Sequence, residues 1–264
     1  MTRMRANKAL LKEALGAPDW RDRLEGLTAK TPGAFVGPLM SCLAQGGTRA
    51  GRAAAALGAC VAAMARETPE EARVVMRRFM WHMNEESGNL GWGVPESMAE
   101  TLARSALLAE EFSRVLLSYI WDTGREDNFV DHAPLRRSCY WAVGRLLQAR
   151  PEFAASALPL LQAGLRDEDI PCRGMAAWAF SHIGAPEDIR PELEALAAAE
   201  ENVNTLVPVF DGDDILEYTV AGLAGLALAK YGDTYIVDHK QPRNQTHKRN
   251  QDGHSITVAG MDKR

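Results

Sequence analysis

Five alanine-rich segments recur along the chain at nearly constant spacing, and this recurrence restricts the possible folds more than any other feature. They are RAAAALGAC around Ala55, ESMAETLAR around Met98, CYWAVGRL around Trp141, AAWAFSHIG around Trp178 and TVAGLAGLAL around Ala221, at intervals of 43, 43, 37 and 43 residues. Each is preceded by another segment of helical apolar period, so the repeating unit is a helical hairpin. One such hairpin has too much apolar surface to stand alone, and stacking against its neighbours supplies the core. The abundance of alanine and leucine and the scarcity of β-branched residues agree with this, because alanine and leucine lose least on entering a helix.

Periodicity predicts helices near residues 5 to 15, 19 to 29, 33 to 45, 49 to 66, 69 to 84, 95 to 108, 110 to 121, 134 to 149, 151 to 165, 171 to 183, 188 to 199 and 213 to 230. Thr31-Pro32 and Thr68-Pro69 each set a capping hydroxyl before a proline at the first helical position. Thr68 with Glu71 completes a capping box. No alternating strand is read before residue 231. The run DGDD, Asp211 to Asp214, lacks the further ligands of a calcium loop and reads as a helix start capped by Asp213. The expected division is a cap or degenerate repeat over 1–47, a repeat array over 48–230 and a polar tail over 231–264. That tail reads as a flexible arm, with a peptide motif for a partner as the alternative.

The clearest unit runs PEFAASALPLLQAGLRDEDIPCRGMAAWAFSHIGAPED, from Pro151 to Asp188. It resembles the HEAT-like repeat named after phycobilisome (PBS) lyases, whose Leu, Asp, Arg, Ala-Ala and terminal Gly positions are matched by Leu165, Asp167, Arg173, Ala176-Ala177 and Gly184. Arg136 occupies the Arg173 position of the preceding unit. The arginine is missing around Met98 and Ala221. The resemblance implies an all-α, α-α superhelix of about five helical hairpins. It also implies an ordered Asp-Arg ladder between neighbouring turns and close approach of the inner helices through small residues.

A formal net charge of −5 argues against a dedicated nucleic-acid binder, whose affinity rests on neutralising phosphates. No stretch approaches 18 uninterrupted apolar residues, so no membrane span is expected. Cys42, Cys60, Cys139 and Cys172 form no CxxC and read as buried free thiols of a cytoplasmic protein.

The segment that repeat architecture explains least is MRRFMWHMNEESGNLGWGVPESMAE, from Met76 to Glu100. It gathers Trp81, His82, Asn84, Glu85, Glu86, Trp92 and Glu96 around a glycine-rich link that includes Asn89, and aromatic and polar groups on a loop held by rigid helices are a common way to build a binding site. His82 with Glu85 or Glu86 gives two ligands at most, so no metal is expected. SGNLGWG lacks the spacing of a phosphate-binding glycine loop. In the next cluster, Asp122 to Trp141, acidic residues at the helix start and arginines within it fit ordinary capping and pairing between repeats; the functional alternative has Arg137 and Tyr140 facing the concave groove beside Trp141, where they could hold an anionic or aromatic ligand. Cys139 with His132 suggests a thiol nucleophile only by sequence proximity, and no catalytic residue is assigned.

Three functions fit. The first is a non-catalytic protein-interaction or scaffold module that binds a protein partner on its concave face and needs no cofactor. The second is a cofactor-handling, lyase-like protein with Cys139, His82 or Arg137 in a closed pocket. The third is a DNA-repair glycosylase of similar architecture, for which Trp141, Asp131 and Arg136-Arg137 are available. The first predicts that replacing Trp81 and Trp92 by alanine abolishes partner capture while circular dichroism and melting stay nearly unchanged. Loss of folding in those variants would assign both rings to the core.

Overall fold

The computed structural model describes residues 3–84, 91–125 and 128–230. Thirteen α-helices lie within them. They are α1 (Arg3–Gly16), α2 (Trp20–Thr28), α3 (Gly33–Leu43), α4 (Gly47–Glu67), α5 (Pro69–Met83), α6 (Val94–Arg104), α7 (Ala106–Ser118), α8 (Ala133–Ala149), α9 (Ala154–Gly164), α10 (Ile170–Ile183), α11 (Arg190–Ala198), α12 (Glu200–Asn204) and α13 (Val220–Ala229). The pairs α3/α4, α5/α6, α7/α8, α9/α10 and α11/α13 are the five hairpins, and α4, α6, α8, α10 and α13 pack in succession as one row. Helices α1 and α2 pack on α3 and α4 at one end. The fold is an all-α solenoid. The tail expected from residue 231 lies outside the described residues.

The five alanine-rich segments are the five helices of this row. Their small residues set how closely the helices approach. A Cβ at Gly58 in α4 would come within 2.7 Å of the Glu100 backbone carbon and 2.8 Å of the Thr101 nitrogen in α6. Only a residue without a side chain allows backbones that close. Around this contact Ala53, Leu57, Val61, Met98, Ala99 and Leu102 are buried.

Several local expectations change. Residues 205 to 220 were expected to be loop and helix start, yet they hold an antiparallel hairpin of β1 (Leu206–Phe210) and β2 (Ile215–Thr219). DGDD is its turn, with Gly212 at φ 106° and the Asp211 carboxylate accepting from the Asp213 and Asp214 N–H groups at 2.8 and 2.9 Å. Asp213 therefore caps no helix. Helix α13 begins at Val220, with the Thr219 hydroxyl accepting from the Gly222 N–H at 3.0 Å. The strand signal was short, and Pro208 obscured it. Val207 and Val209 point inward while Leu206 and Pro208 do not, and a hairpin of this length is stable only when docked. Pro69 opens α5 as expected, and the Thr68 hydroxyl donates to Glu71, but Pro32 is itself the N-cap of α3. Helix α7 starts early, after Ser105, whose hydroxyl accepts from the Leu108 N–H.

The Asp-Arg ladder is present between the turns that precede α8 and α10. The Arg136 guanidinium donates to both Asp167 oxygens at 2.8 Å and to the Val130 and Asp131 carbonyls at 2.8 and 2.7 Å. Both partners are buried, at 1% and 4% side-chain exposure. Next to them Arg137 forks onto Asp169 at 2.8 and 2.6 Å, and Asp169 also caps α10 by accepting from the Cys172 N–H. Arg173 donates to the Asp167 carbonyl at 2.5 Å. A buried pair held on every side is costly to break from one side, because the remaining charge is stranded. Asp167→Ala is therefore expected to lower the unfolding free energy by about 3–5 kcal/mol in urea titration. Asp169→Ala should cost less, since the Arg137 it strands is a third exposed.

Candidate functional site

The β1-β2 hairpin packs on α4, α10 and α13, and its turn reaches the helices at the far end of the solenoid. Its turn is fastened there by four side chains. The Trp20 indole N–H donates to the Asp213 carboxylate at 2.5 Å, and Arg21 pairs with the same carboxylate at 2.8 Å. Arg52 donates to the Asp213 carbonyl at 2.8 Å and to the Leu15 and Ala17 carbonyls at 3.1 Å, and the Thr48 hydroxyl donates to Asp214. Phe210 lies flat on Gly51 of α4, where a Cβ would meet the ring at 2.5 Å. The Trp141 indole N–H donates to the Phe210 carbonyl at 3.0 Å, and Trp141 stacks on Trp178 with ring centroids 6.0 Å apart.

Trp141 and Phe210 line both of two chambers beneath the hairpin, of about 550 and 170 Å³, and so stand between them. The larger has mostly apolar walls, among them Leu43, Trp92, Met175, Val207 and Ile215. Trp92 is 39% exposed and packs edge-on against His132. One carboxyl belongs to this chamber, that of Glu96 in the first turn of α6. Its Oε2 is out of contact with solvent and has no hydrogen-bond partner. Burial pushes its pKa up, against the opposing pull of the Ser138 hydroxyl and of its own backbone N–H. Arg137 also lines the chamber, but its charge is balanced by Asp169.

The structure divides the residues singled out from sequence. Trp92 and Arg137 share the larger chamber. The functional alternative set Tyr140 in the groove with them, yet it is 2% exposed and lines neither chamber. Its hydroxyl donates to Asp167 and its ring fills the space beside Gly164, so the ladder claims it. Trp81 is 59% exposed at the end of α5, with its ring against His82, and neither lines a chamber. Glu85, Glu86 and Asn89 lie outside the described residues. Cys139 is fully buried, and burial raises its thiol well above the usual range, which suits a small core residue. Arg136 is committed to Asp167, whereas Asp131 is exposed, so Trp141, Asp131 and Arg136 do not converge on one chamber. Among the described residues no group of three His, Cys, Asp or Glu is placed to hold a metal ion, and no helix is long and apolar enough to cross a membrane. Sequence reading gave Phe210, Arg21, Arg104 and Arg145 no role, because nothing local marks residues that meet only across the groove.

The comparisons follow this geometry. Residues 133–183, which span α8 to α10 and include the ladder, match the family model described as HEAT-like repeat. The chain is a solenoid carrying a HEAT-like repeat. Among solved structures, the chain is similar to a designed armadillo repeat protein in complex with the peptide (KR)4, at 17% identity and TM-score 0.49, over 86% of this chain and 92% of that one. It is similar to an engineered protein from a structural genomics consortium at 13% identity and TM-score 0.48, over 88% and 92%. A third likeness is to computationally designed armadillo repeat proteins for modular peptide recognition, at 17% identity and TM-score 0.42, over 86% and 92%. The search of curated proteins gave no match.

The native fold holds the Glu96 proton more tightly than the unfolded chain does. The stabilisation this provides is complete below the ordinary glutamate value of 4.5 and is lost as pH rises through the higher folded value. Urea midpoints from about pH 4 to about pH 8 should therefore show Glu96→Gln gaining on the parent protein as pH rises. A constant difference would place the carboxyl in water.

Proposed function

We propose that this HEAT-like solenoid is a protein-interaction module that receives a short apolar segment of a partner in the larger chamber, with a lysine or arginine of that segment on Glu96. The observation that supports this most directly is Glu96, whose carboxyl Oε2 lacks a partner, in the wall of a mostly apolar chamber of about 550 Å³. An ion or strong donor placed there would satisfy an atom that the fold leaves unsatisfied, and such atoms cost most when buried. Apolar side chains of the segment would contact Trp92, Met175 and Val207, and aromatic anchors in pockets are where binding energy concentrates. Trp92, half-exposed in the chamber wall, would meet the segment from solvent. Trp81 and His82 would extend the contact along the end of α5. Extended repeat surfaces are suited to such segments. A cytoplasmic setting belongs to the same proposal, supported by four buried free thiols.

Selection of a phage-displayed library of linear peptides on the purified protein tests this. The expected result is a consensus with lysine or arginine beside leucine, phenylalanine or tryptophan. Binding of the selected peptide should weaken about tenfold or more, or 1.4 kcal/mol, in Glu96→Gln and in Trp92→Ala, with helicity by circular dichroism unchanged. Peptides without a basic residue, or binding indifferent to both substitutions, would overturn it.

A further inference from the structure

The smaller chamber differs from the larger one in charge. Its about 170 Å³ is walled by the rings of Trp141, Trp178 and Phe210 and by three arginines from separate parts of the chain, Arg21 after the start of α2, Arg104 at the end of α6 and Arg145 in α8. Glu100 is the one carboxylate set between Arg104 and Arg145. At 3% exposure it accepts from Arg145 Nε and Nη2 at 2.9 and 3.5 Å and from Arg104 Nη1. One negative charge thus serves two guanidinium groups. The remaining acid of the chamber, Asp211, has an oxygen already bound to two N–H groups of the hairpin turn, and Arg21 is balanced by Asp213 outside it.

Burial first, then the positive charges of Arg145 and Arg21, push the Arg104 guanidinium down to about 10. It stays protonated at neutral pH, in a place where its neighbours oppose its charge. Among the described residues, the hydrogen bonds of Arg104 run through Nη1 alone, to the Glu100 carbonyl and carboxylate. Its Nε and Nη2 edge, the edge with which guanidinium groups fork onto oxyanions, makes no hydrogen bond there.

We propose that the smaller chamber is a binding site for an oxyanion, fitted to a phosphate group held on the open edge of Arg104, with Arg145 and Arg21 in the same wall. This reading does not depend on the peptide proposed for the larger chamber. Arginines that converge from two neighbouring repeats and from the capping helix suit a tetrahedral group with several charged oxygens better than a planar carboxylate with two. The surrounding rings narrow the chamber and lower its local dielectric, which strengthens each of these contacts. Because Arg21 also fastens the hairpin turn through Asp213 and the Gly212 carbonyl, phosphate would join the hairpin to α6 and α8.

The test is isothermal titration of the full chain with inorganic phosphate, and in parallel with acetate, at constant ionic strength. Saturable phosphate binding is expected, tighter than that of acetate. Arg104→Gln should weaken it at least tenfold. Glu100→Gln, which removes the competing carboxylate, should tighten it, and this opposite sign separates a ligand site from a loss of fold. Arg166→Gln, at an exposed pair with Glu192 on another face, should change nothing. Absence of saturable phosphate binding, binding indifferent to Arg104→Gln, weakening in Glu100→Gln, or acetate binding as tight as phosphate would each overturn the proposal.

Discussion

The closeness of neighbouring inner helices governs the rest of this molecule. Where α4 meets α6 at Gly58, and where α8 meets α10 at Gly144, a single Cβ would strike backbone or the Trp178 ring. Helices that close bury most of the small residues between them, among them Ala53, Ala54, Ala99, Ala142, Ala176 and Ala177. Packed interiors respond to changes of one methyl group, so this spacing is a property of the whole row. Larger residues at these glycines would push the repeats apart and widen the groove that Trp141 and Phe210 now divide.

The ladder works on the same row from its edge. Arg136 ties the turn before α8 to the turn before α10 through a carboxylate and two carbonyls, and Arg137 repeats the tie one residue on. Ion pairs of this kind add less to stability than their geometry suggests, because both charges leave water. What they supply is register. Each bidentate fork has one geometry, so neighbouring repeats can rotate little with respect to each other, and the groove keeps its shape.

The hairpin turns an open curved surface into a partly closed one. It belongs to the last repeat, yet its turn is held by Trp20, Arg21, Thr48 and Arg52 of the first helices, and Phe210 seats on Gly51. A solenoid whose repeats contact only their neighbours folds and loosens piecewise, whereas a contact between its ends couples them. The two chambers exist because of this contact. Without it their residues would line a single solvated groove, and Glu96 and Arg104 would lie in water.

Much of the architecture was legible along the chain, for a physical reason. Helix period, the 43-residue interval, small residues on one face and the Asp167, Asp169 and Arg136 positions are all local relations, set by neighbours within one repeat or the next. Three features were not legible. The β hairpin is five residues a side with a proline in one strand, and it owes its stability to docking. Tyr140 sits on a helix whose rotation decides whether it meets solvent or Asp167, and periodicity alone left that open. Arg21, Arg104 and Arg145 carry no shared motif, and the separations that bring Trp20 to Asp213 or Arg145 to Glu100 span 193 and 45 residues. Sequence by itself determined the repeat and its helices, because short-range periodicity encodes them, and the ladder followed from the resemblance of its Asp and Arg positions to a HEAT-like repeat. Only the tertiary structure decided which groups share a chamber and which of their charges lack partners, because those depend on the packing of distant segments across the groove.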